Sequence, residues 1–248
     1  MDSAVREPVV AGAFYPGTAI ALERQLAQLI PPAHGHLPLL ACIVPHAGYV
    51  YSGGVAGRVF AAAEIPARVV VLGPNHTGRG AAVAVAPHDR WRTPIGDVEV
   101  DRELAGRLLD AVPEARLDAA AHGREHSIEV ILPFLRSLRP DVRVLPVCLA
   151  HLGLAECRAL GAALAGVVLR TGEPVAIVAS SDMTHYEPDA VARERDRLAI
   201  DAALALDPDR LYRTVAEHGI SMCGVVPATV ALSAAVELGA TTAELVAY

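Results

Sequence analysis

Three apolar runs of the sequence each lead into a histidine after a few small or polar residues. The histidines stand in the stretches IVPHAGYVYSGG, VVVLGPNHTG and VAIVASSDMTHY and are His46, His76 and His185. Imidazole binds metal ions and transfers protons near neutral pH. In a fourth stretch, ISMCGVVPAT, Cys223 precedes Pro227, which favours the start of a helix. These residue types predict a site for a metal ion or for acid–base chemistry.

The elements that must position these residues alternate along the chain. Runs rich in Val and Ile predict strands at Leu39–Val44, Arg68–Leu72, Ala81–Ala86, Val142–Leu149 and Val175–Ala179. Periodicity and capping signals predict helices over residues 18–30, 101–112, 126–138, 153–170, 188–206, 208–218 and 227–238. This alternation predicts a layered α/β fold with a mostly parallel sheet. Ligands bind outside the carboxyl ends of parallel strands, so we expect the three histidines at one sheet edge.

Two connections complete this organisation. The short one from Gly73 to Gly80 predicts that Ala81–Ala86 pairs beside the strand before it, and residues 31–38 are expected to form a loop. No internal repeat and no Ser/Gly linker divides the chain. We therefore predict a single domain over residues 1–248.

The stretch AAHGREHSIEV contains a competing motif. Its H-x-x-E-H pattern, from His122 through Glu125 to His126, is the inverted zinc-protease signature, in which two histidines bind the metal and the glutamate activates water. Gly123 interrupts the helix that this motif needs, and Ser127 is typical of an N-cap from which a helix begins. We therefore expect no protease helix. In the alternative, His126 faces the strand-end site from a neighbouring helix N-terminus.

Composition excludes several classes of function. The formal net charge is −7 and the arginines are scattered singly, which argues against binding to nucleic acid. All 21 basic residues are arginine, and chemistry that needs a lysine, such as a Schiff base, pyridoxal phosphate attachment or a P-loop, is excluded. No apolar run reaches the roughly 18 residues of a membrane helix. The charged N-terminal stretch is unlike a secretory signal, so we expect a cytoplasmic protein that contacts no membrane.

The remaining cysteines and histidines are expected to be structural. Without a CxxC pair, a zinc knuckle is not predicted. Cys42, Cys148 and Cys157 lie in apolar strand or helical stretches, where a free cysteine behaves as a small buried hydrophobic residue. The histidines that nothing in the sequence places at a strand's carboxyl end beside small residues are His34, His36, His88, His151 and His218.

The sequence resembles the Memo family, named after a mediator of cell motility. The matching stretches are REPVVAGAFYPG, VPHAGYVYSG, LGPNHTG, TPIGDVEVD, EHSIEVILPFL, SSDMTHY and CGVVPA, in order through nearly the whole chain. Bacterial and archaeal members are known as protein B of the AmmeMemoRadiSam system, which also includes an AMMECR-type protein and a radical SAM protein. The family is similar to class III extradiol dioxygenases, and the resemblance implies their α/β sandwich, a central sheet flanked by helices.

The resemblance also implies roles for individual residues. His46 and His76 match the two histidine ligands of the metal, and Cys223 matches the cysteine that Memo proteins carry where the dioxygenases have a glutamate. His185 matches the third histidine of the site, either as a fourth ligand or as the catalytic acid/base. The expected cofactor is one transition-metal ion, with iron first and copper or zinc as alternatives, because a thiolate is a soft ligand.

Three further residues are expected to support this site. Ligating histidines need a partner on their second nitrogen, and Asp182 and His126 are expected around the ligands for this reason. Tyr49 is expected to gate the cleft.

Two functions follow from the resemblance. In the first, the protein is a dioxygenase-like, metal-dependent oxidoreductase that acts on a small molecule or a modified macromolecule. In the second, it is a catalytically silent protein that binds a peptide or partner in the same cleft and works with the AMMECR-type and radical SAM proteins. Family members usually continue past the ELVAY-like stretch into a further strand, so a sheet edge is expected to differ here while the proposed ligands are retained.

Overall fold

In the computed structural model, which describes residues 4–32 and 37–248, most strands join one mixed sheet. The strands are β1 (Val5–Arg6), β2 (Leu37–Pro38), β3 (Ala41–Val44), β4 (Ala63–Glu64), β5 (Arg68–Pro74), β6 (Val83–Val85), β7 (Arg90–Thr93), β8 (Gly96–Val100), β9 (Ala115–Leu117), β10 (Arg143–Leu149) and β11 (Val175–Ser180). The order across the sheet is β1-β7-β8-β10-β5-β11-β3. β6 pairs with β10 and with β9, while β2 and β4 pair separately.

Helices cover both faces of this sheet. They are α1 (Ala19–Leu29), α2 (Tyr49–Ala61), α3 (Arg102–Ala111), α4 (Ala119–His122), α5 (Leu132–Leu138), α6 (Leu154–Leu169), α7 (Asp189–Leu204), α8 (Pro208–Glu217) and α9 (Val225–Glu237), with a 3-10 turn at Glu129–Ile131. α1, α2 and α5 pack together on one face, and α6, α8 and α9 pack together on the other. The predicted sandwich with a mostly parallel sheet is confirmed. None of the described helices is both long and apolar enough to cross a membrane.

The central strands are buried on both faces. β10, β5, β11 and β3 pair in parallel, and every residue of β5 and β11 is buried. Runs such as VVVL and VAIV give β-branched side chains to both faces, as two-sided burial requires. Successive side chains of a strand face opposite layers, so Val70 packs in the core on the α6 and α9 side while Val71 packs in the core on the α1 and α2 side.

The pairing register fixes where the central strands end. Val44 of β3 pairs with Ser180 of β11, and Leu72 of β5 pairs with Ala179. The segments that follow these three strands therefore leave the sheet at the same edge. They are the segments that carry the three strand-end histidines.

Two details of the predicted topology were wrong. β6 does not pair with β5; it pairs antiparallel with β10 and parallel with β9. The reason is that β5 already has β10 on one side and β11 on the other, so it offers no free edge. The loop predicted over residues 31–38 contains β2 at its end, and residues 33–36 lie outside the described residues.

Helix α2 was not predicted, because its sequence YVYSGGVAGRVFA contains three glycines and glycine is typical of turns. In the structure, two of them face α1. A Cβ atom on Gly57 would lie 2.1 Å from the carbonyl oxygen of Leu29, and one on Gly53 would lie 2.7 Å from the side chain of the same residue. The close approach of the two helices therefore overrides the poor helix propensity of glycine.

The predicted helix over residues 126–138 begins later than expected. The 3-10 turn precedes α5, and Ser127 is not the N-cap of either element. Its hydroxyl instead donates to the carbonyl oxygen of Pro74, at 3.0 Å. This contact ties the segment before α5 to the end of β5.

A buried ion pair holds the same segment from its other side. Arg6 and Glu129 are both buried, and their side chains form an ion pair. The Arg6 guanidinium also donates to the carbonyl oxygens of His122 and Glu125, at 3.1 and 2.6 Å. The carboxylate of Glu129 accepts a hydrogen bond from the hydroxyl of Tyr15, at 2.7 Å. The segment is thus fixed against the N-terminal strand.

Arg6→Ala is expected to lower the free energy of unfolding by about 3–5 kcal/mol, because it leaves the buried carboxylate of Glu129 unpaired. Urea unfolding followed by circular dichroism measures this loss. Arg92→Ala is the control, since Arg92 forms an exposed ion pair with Glu7 at 2.9 Å, and it should cost less than about 1 kcal/mol. Equal losses in the two variants would contradict the role assigned to the buried pair.

Candidate metal centre

His46 follows β3 and is held in one orientation. Its side chain is buried, and Nδ1 lies 2.7 Å from the hydroxyl oxygen of Ser180. That hydroxyl donates its own hydrogen to the carbonyl oxygen of Ser127, at 2.6 Å, so it accepts from Nδ1–H of the imidazole. Nε2 is left without a proton and is free to bind a metal. Burial lowers the pKa of His46 to about 4, which keeps the ring neutral.

His76 follows β5 and is held by the buried carboxylate of Glu125. Its Nδ1 lies 2.9 Å from Glu125 Oε1, and its backbone N–H donates to Oε2 at 2.6 Å. Hydrogen bonds to Cys223 and Glu125 raise the pKa of His76 to about 10. Its Nε2 again faces away from the partner of Nδ1.

Glu125 keeps its negative charge although it is buried. Burial alone would raise its pKa, but hydrogen bonds from the His76 ring and from the backbone N–H groups of Ser127 and His76 lower it to about 2. The N–H of His126 also donates to this carboxylate, at 2.9 Å. Glu125 therefore fixes His76 and the turn that carries His126.

Cys223 lies just before α9 and meets the two histidines. Its Sγ is 3.4 Å from Nε2 of His46, and the ligand atoms of His46, His76 and Cys223 all lie within 4.8 Å of one another. The following residue must be glycine, because a Cβ atom on Gly224 would lie 2.3 Å from the carbonyl oxygen of Ser180. That close contact brings the cysteine to the end of β11.

Asp182 and His185 lie beside this trio. Oδ1 of Asp182 accepts from the backbone N–H groups of His46 and Ala47, at 2.8 and 3.1 Å. Its Oδ2 lies 3.8 Å from Nε2 of His46 and 3.9 Å from Nε2 of His185. Nδ1 of His185 lies 2.9 Å from the carbonyl oxygen of Ser221. The structure thus brings the predicted Asp182 and His185 to the same site, with Nε2 of His185 facing it.

His126 joins the site from the turn before α5. Its ring stacks on His76 with a centroid separation of 4.8 Å and lies edge-on to His46 at 5.5 Å. Phe14 packs against it, at 4.8 Å between centroids. Burial lowers the pKa of His126. It lies where the sequence places it, close to the two proposed histidine ligands.

Tyr49 does not line the cleft, contrary to the expectation that it gates the site. Its side chain is buried, its hydroxyl donates to the carbonyl oxygen of Val130 at 2.9 Å, and its ring lies 4.7 Å from that of Phe134. α2 begins at Tyr49, and the first turn directs this side chain into the core. The neighbouring Tyr51 is exposed instead.

His122 points away from the site, which argues against the protease motif. α4 ends at His122, whose ring is buried against Trp91. Nε2 of this ring lies 3.1 Å from the carbonyl oxygen of Ala84. Burial lowers its pKa to about 4. Glu125 turns toward His76, so the two histidines of the motif do not face one ion. His34 and His36 lie outside the described residues.

The sequence did not reveal the partners of the histidine Nδ1 atoms. Glu125 belongs to the protease motif, the signal at Ser127 predicts a helix N-cap, and Ser180 and Ser221 carry no signal of their own. The only available sign was that Glu125 and Ser180 stand beside candidate residues in the quoted motifs. Their contacts depend on segments that are distant in the chain.

The other cysteines are shielded. Cys148 and Cys157 are buried and Cys42 is partly buried, and the four cysteines form no disulfide. Burial raises the pKa of Cys42 and of Cys157 to about 12, and raises that of Cys148 as well. Cys223 is partly buried as Cys42 is, but its sulfur lies with Nε2 of His46 and the ring of His76, so it is the cysteine that belongs to the site.

The chain is similar to known proteins over nearly its whole length. A family model described as "Memo-like protein" matches residues 6–248. A MEMO1 family protein of Methanosarcina barkeri is 43% identical over 246 residues, which cover 98% of this chain and 92% of that protein. A MEMO1 family protein of Aquifex aeolicus is 44% identical over 247 residues, with 98% and 91% covered.

Solved structures with a similar fold include that of an uncharacterized protein from Escherichia coli K12, with a TM-score of 0.50 and 19% sequence identity. The match covers 73% of this chain and 80% of that one. At this identity the likeness concerns the fold alone.

Iodoacetamide is expected to label Cys223 first in native protein stripped of metal by a chelator. The reason is that Cys223 lies beside the rings of His46 and His76, whereas burial raises the pKa of the other three thiols and so disfavours their reactive thiolate form. Peptide mapping by mass spectrometry locates the label, and the same reaction in urea should label all four cysteines. Labelling of Cys42 as fast as Cys223 in native protein would contradict this assignment.

Proposed function

Because the chain belongs to the Memo-like protein family, we propose that His46, His76 and Cys223 hold one transition-metal ion and that the protein is a metal-dependent oxidoreductase. The observation that carries the proposal is the spacing of the three ligand atoms, all within 4.8 Å of one another. Both imidazoles are held through Nδ1, which leaves Nε2 for the ion. Three ligands also leave coordination positions open for oxygen or a substrate.

The donor set suits iron, copper or zinc. Imidazole binds all three metals, and a thiolate favours the softer ones, copper(I) and zinc. We propose iron first, because the family resembles iron-dependent dioxygenases that bind their metal with two histidines and a glutamate. Hydrogen bonds from Nδ1 to Ser180 and to Glu125 orient the two rings and raise their basicity as ligands. A bound ion would supply Lewis-acid and redox chemistry to a coordinated substrate.

His185 is the proposed general acid/base of this site. Its Nδ1 is tied to the carbonyl of Ser221, so Nε2 is the atom that accepts or gives the proton. The carboxylate of Asp182 faces this atom, with Oδ2 at 3.9 Å from Nε2. Since 34% of the side chain of His185 is exposed, a substrate can reach it from solvent. A small molecule or a modified macromolecule is the proposed substrate class.

A second candidate function is a catalytically silent binding protein. The observation that favours it is Cys223, since a cysteine stands where the related dioxygenases carry a carboxylate, and sulfur is oxidised more readily than a carboxylate. In this function the cleft binds a peptide or a partner, and the protein works with AMMECR-type and radical SAM proteins. Oxygen uptake by the iron-loaded protein favours the oxidoreductase; partner affinity without oxygen uptake favours the binding protein.

His46→Ala and His76→Ala should each retain almost no bound metal, because each removes one of three ligands. Elemental analysis after anaerobic purification measures the metal content per chain. His151→Ala, at an exposed histidine after β10, and His122→Ala, at the competing motif, should both retain the wild-type content. Loss of metal in His122→Ala with normal metal in His76→Ala would move the site to the protease motif.

Cys223→Glu should keep iron and lose preference for copper(I) and zinc, because it replaces a soft ligand by a hard one. Competition between iron and zinc, read by elemental analysis of the desalted protein, tests this directly. Cys42→Ala serves as the control and should compete as the wild type does. An unchanged preference in Cys223→Glu would mean that the sulfur is not a ligand.

A further inference from the structure

Asp196 is a buried carboxylate that the proposed chemistry does not use. It lies in the middle of α7, and its exposed fraction is 2%. Among the described residues it takes part in no ion pair, since the nearby arginines of α7 pair with other acids. These pairs are Arg193 with Asp189, Arg195 with Glu187, and Arg197 with Asp201. A buried carboxylate needs hydrogen-bond partners, and Asp196 has them on both of its oxygens.

Both oxygens of this carboxylate accept from parts of the chain outside α7. Oδ1 accepts from the backbone N–H of Thr184, at 2.9 Å, and Oδ2 accepts from the hydroxyl of Tyr248, at 2.7 Å. Burial and the hydrogen bond to Asp196 raise the pKa of Tyr248 to about 12, so the phenol keeps the proton that it donates. Hydrogen bonds to an ionised acceptor are stronger than neutral ones.

Thr184 immediately precedes His185 in the loop between β11 and α7. Ser221 contacts His185 itself. The backbone N–H of His185 donates to Oγ of Ser221 at 2.7 Å, and Nδ1 of the His185 ring is hydrogen-bonded to the carbonyl oxygen of Ser221. The next residue, Tyr186, has a φ of 60° and a fully exposed side chain. A tyrosine adopts this left-handed conformation only when its surroundings impose it. The loop is therefore held from two sides, with Asp196 on one of them.

We propose that Asp196 is a positioning residue for His185. Its carboxylate fixes the loop through the N–H of Thr184, and the hydroxyl of Tyr248 fixes the carboxylate in turn. The segment that contains Tyr248 is thereby coupled to the orientation of the His185 ring. The functional meaning of this coupling rests on the proposed acid/base role of His185, but the coupling itself does not require a bound metal.

Three variants separate the two hydrogen bonds. Asp196→Ala removes both, and Tyr248→Phe removes only the phenol hydroxyl. Asp196→Asn keeps a carbonyl oxygen that can accept from Thr184, and its amide nitrogen can donate to the phenol oxygen of Tyr248 in place of the original hydrogen bond. Tyr212→Phe is the matched control, because it also removes one hydroxyl, which donates to the carbonyl oxygen of Leu152 at 2.9 Å, away from the loop.

The measurements are made on metal-free protein. Hydrogen exchange of the amides of residues 182–188 reports the loop, and the NMR signal of the His185 ring, assigned by its loss in His185→Ala, reports the imidazole. Asp196→Ala should accelerate exchange by about tenfold or more, the factor expected for loss of one hydrogen bond to a charged group, and should shift the ring signal. Tyr248→Phe should shift it in the same direction, while Asp196→Asn should restore it and Tyr212→Phe should leave it unchanged.

Two results would overturn the proposal. One is an unchanged His185 ring signal in Asp196→Ala or Tyr248→Phe, which would make Asp196 a purely structural residue. The other is the same shift in Tyr212→Phe, which would make the effect general. If Asp196→Ala does not fold, Tyr248→Phe still decides the question because it removes only one oxygen atom. Metal content, measured separately, tests the proposed function. The positioning role of Asp196 and the proposed function can therefore fail independently.

Discussion

The candidate metal centre depends on the register in which β3, β11 and β5 pair in parallel. Val44 lies beside Ser180 and Leu72 beside Ala179, so three segments leave the sheet together. A slip of one residue would turn every side chain of a strand to the opposite face. Both faces here are filled by apolar cores, and the buried β-branched runs make the register specific. The stability of the sheet and the geometry of the site therefore have a common origin.

Within that frame, hydrogen bonds decide which atom each histidine offers. Nδ1 is held by a serine hydroxyl in His46, by the carboxylate of Glu125 in His76 and by a backbone carbonyl in His185. All three rings consequently present Nε2 to the same space. Buried charged groups then hold the loops that carry these partners. Arg6 is paired with Glu129 and donates to the carbonyl oxygen of Glu125. The buried ion pair thus fixes the segment that carries Glu125.

Much of the site could be predicted because its residues follow the strongest signals in the sequence. A strand buried on both faces must be a continuous run of β-branched residues, and such runs locate the strand ends that carry His46 and His76. The run before His185 locates that residue in the same way, and Cys223 stands before a predicted helix start; the family resemblance added the roles of both. The expectation for Tyr49 was wrong. The sequence did not reveal α2 and therefore could not show that Tyr49 lies on the buried side of this helix. Glu125 was visible, but only as part of a motif that the structure does not use.

The sequence by itself determined the strands β3, β5, β6, β10 and β11, every helix longer than four residues except α2, the layered class of the fold and the identity of the candidate ligands, since these follow from local runs of residue types. The tertiary structure decided which nitrogen of each histidine is free, that α2 packs through its glycines against α1, and that β6 lies beside β10. Each of these depends on a contact between residues far apart in the chain, such as Ser180 with Ser127 or Gly57 with Leu29. Local pattern carries no information on such contacts, because they arise only when the packed layers bring the segments together.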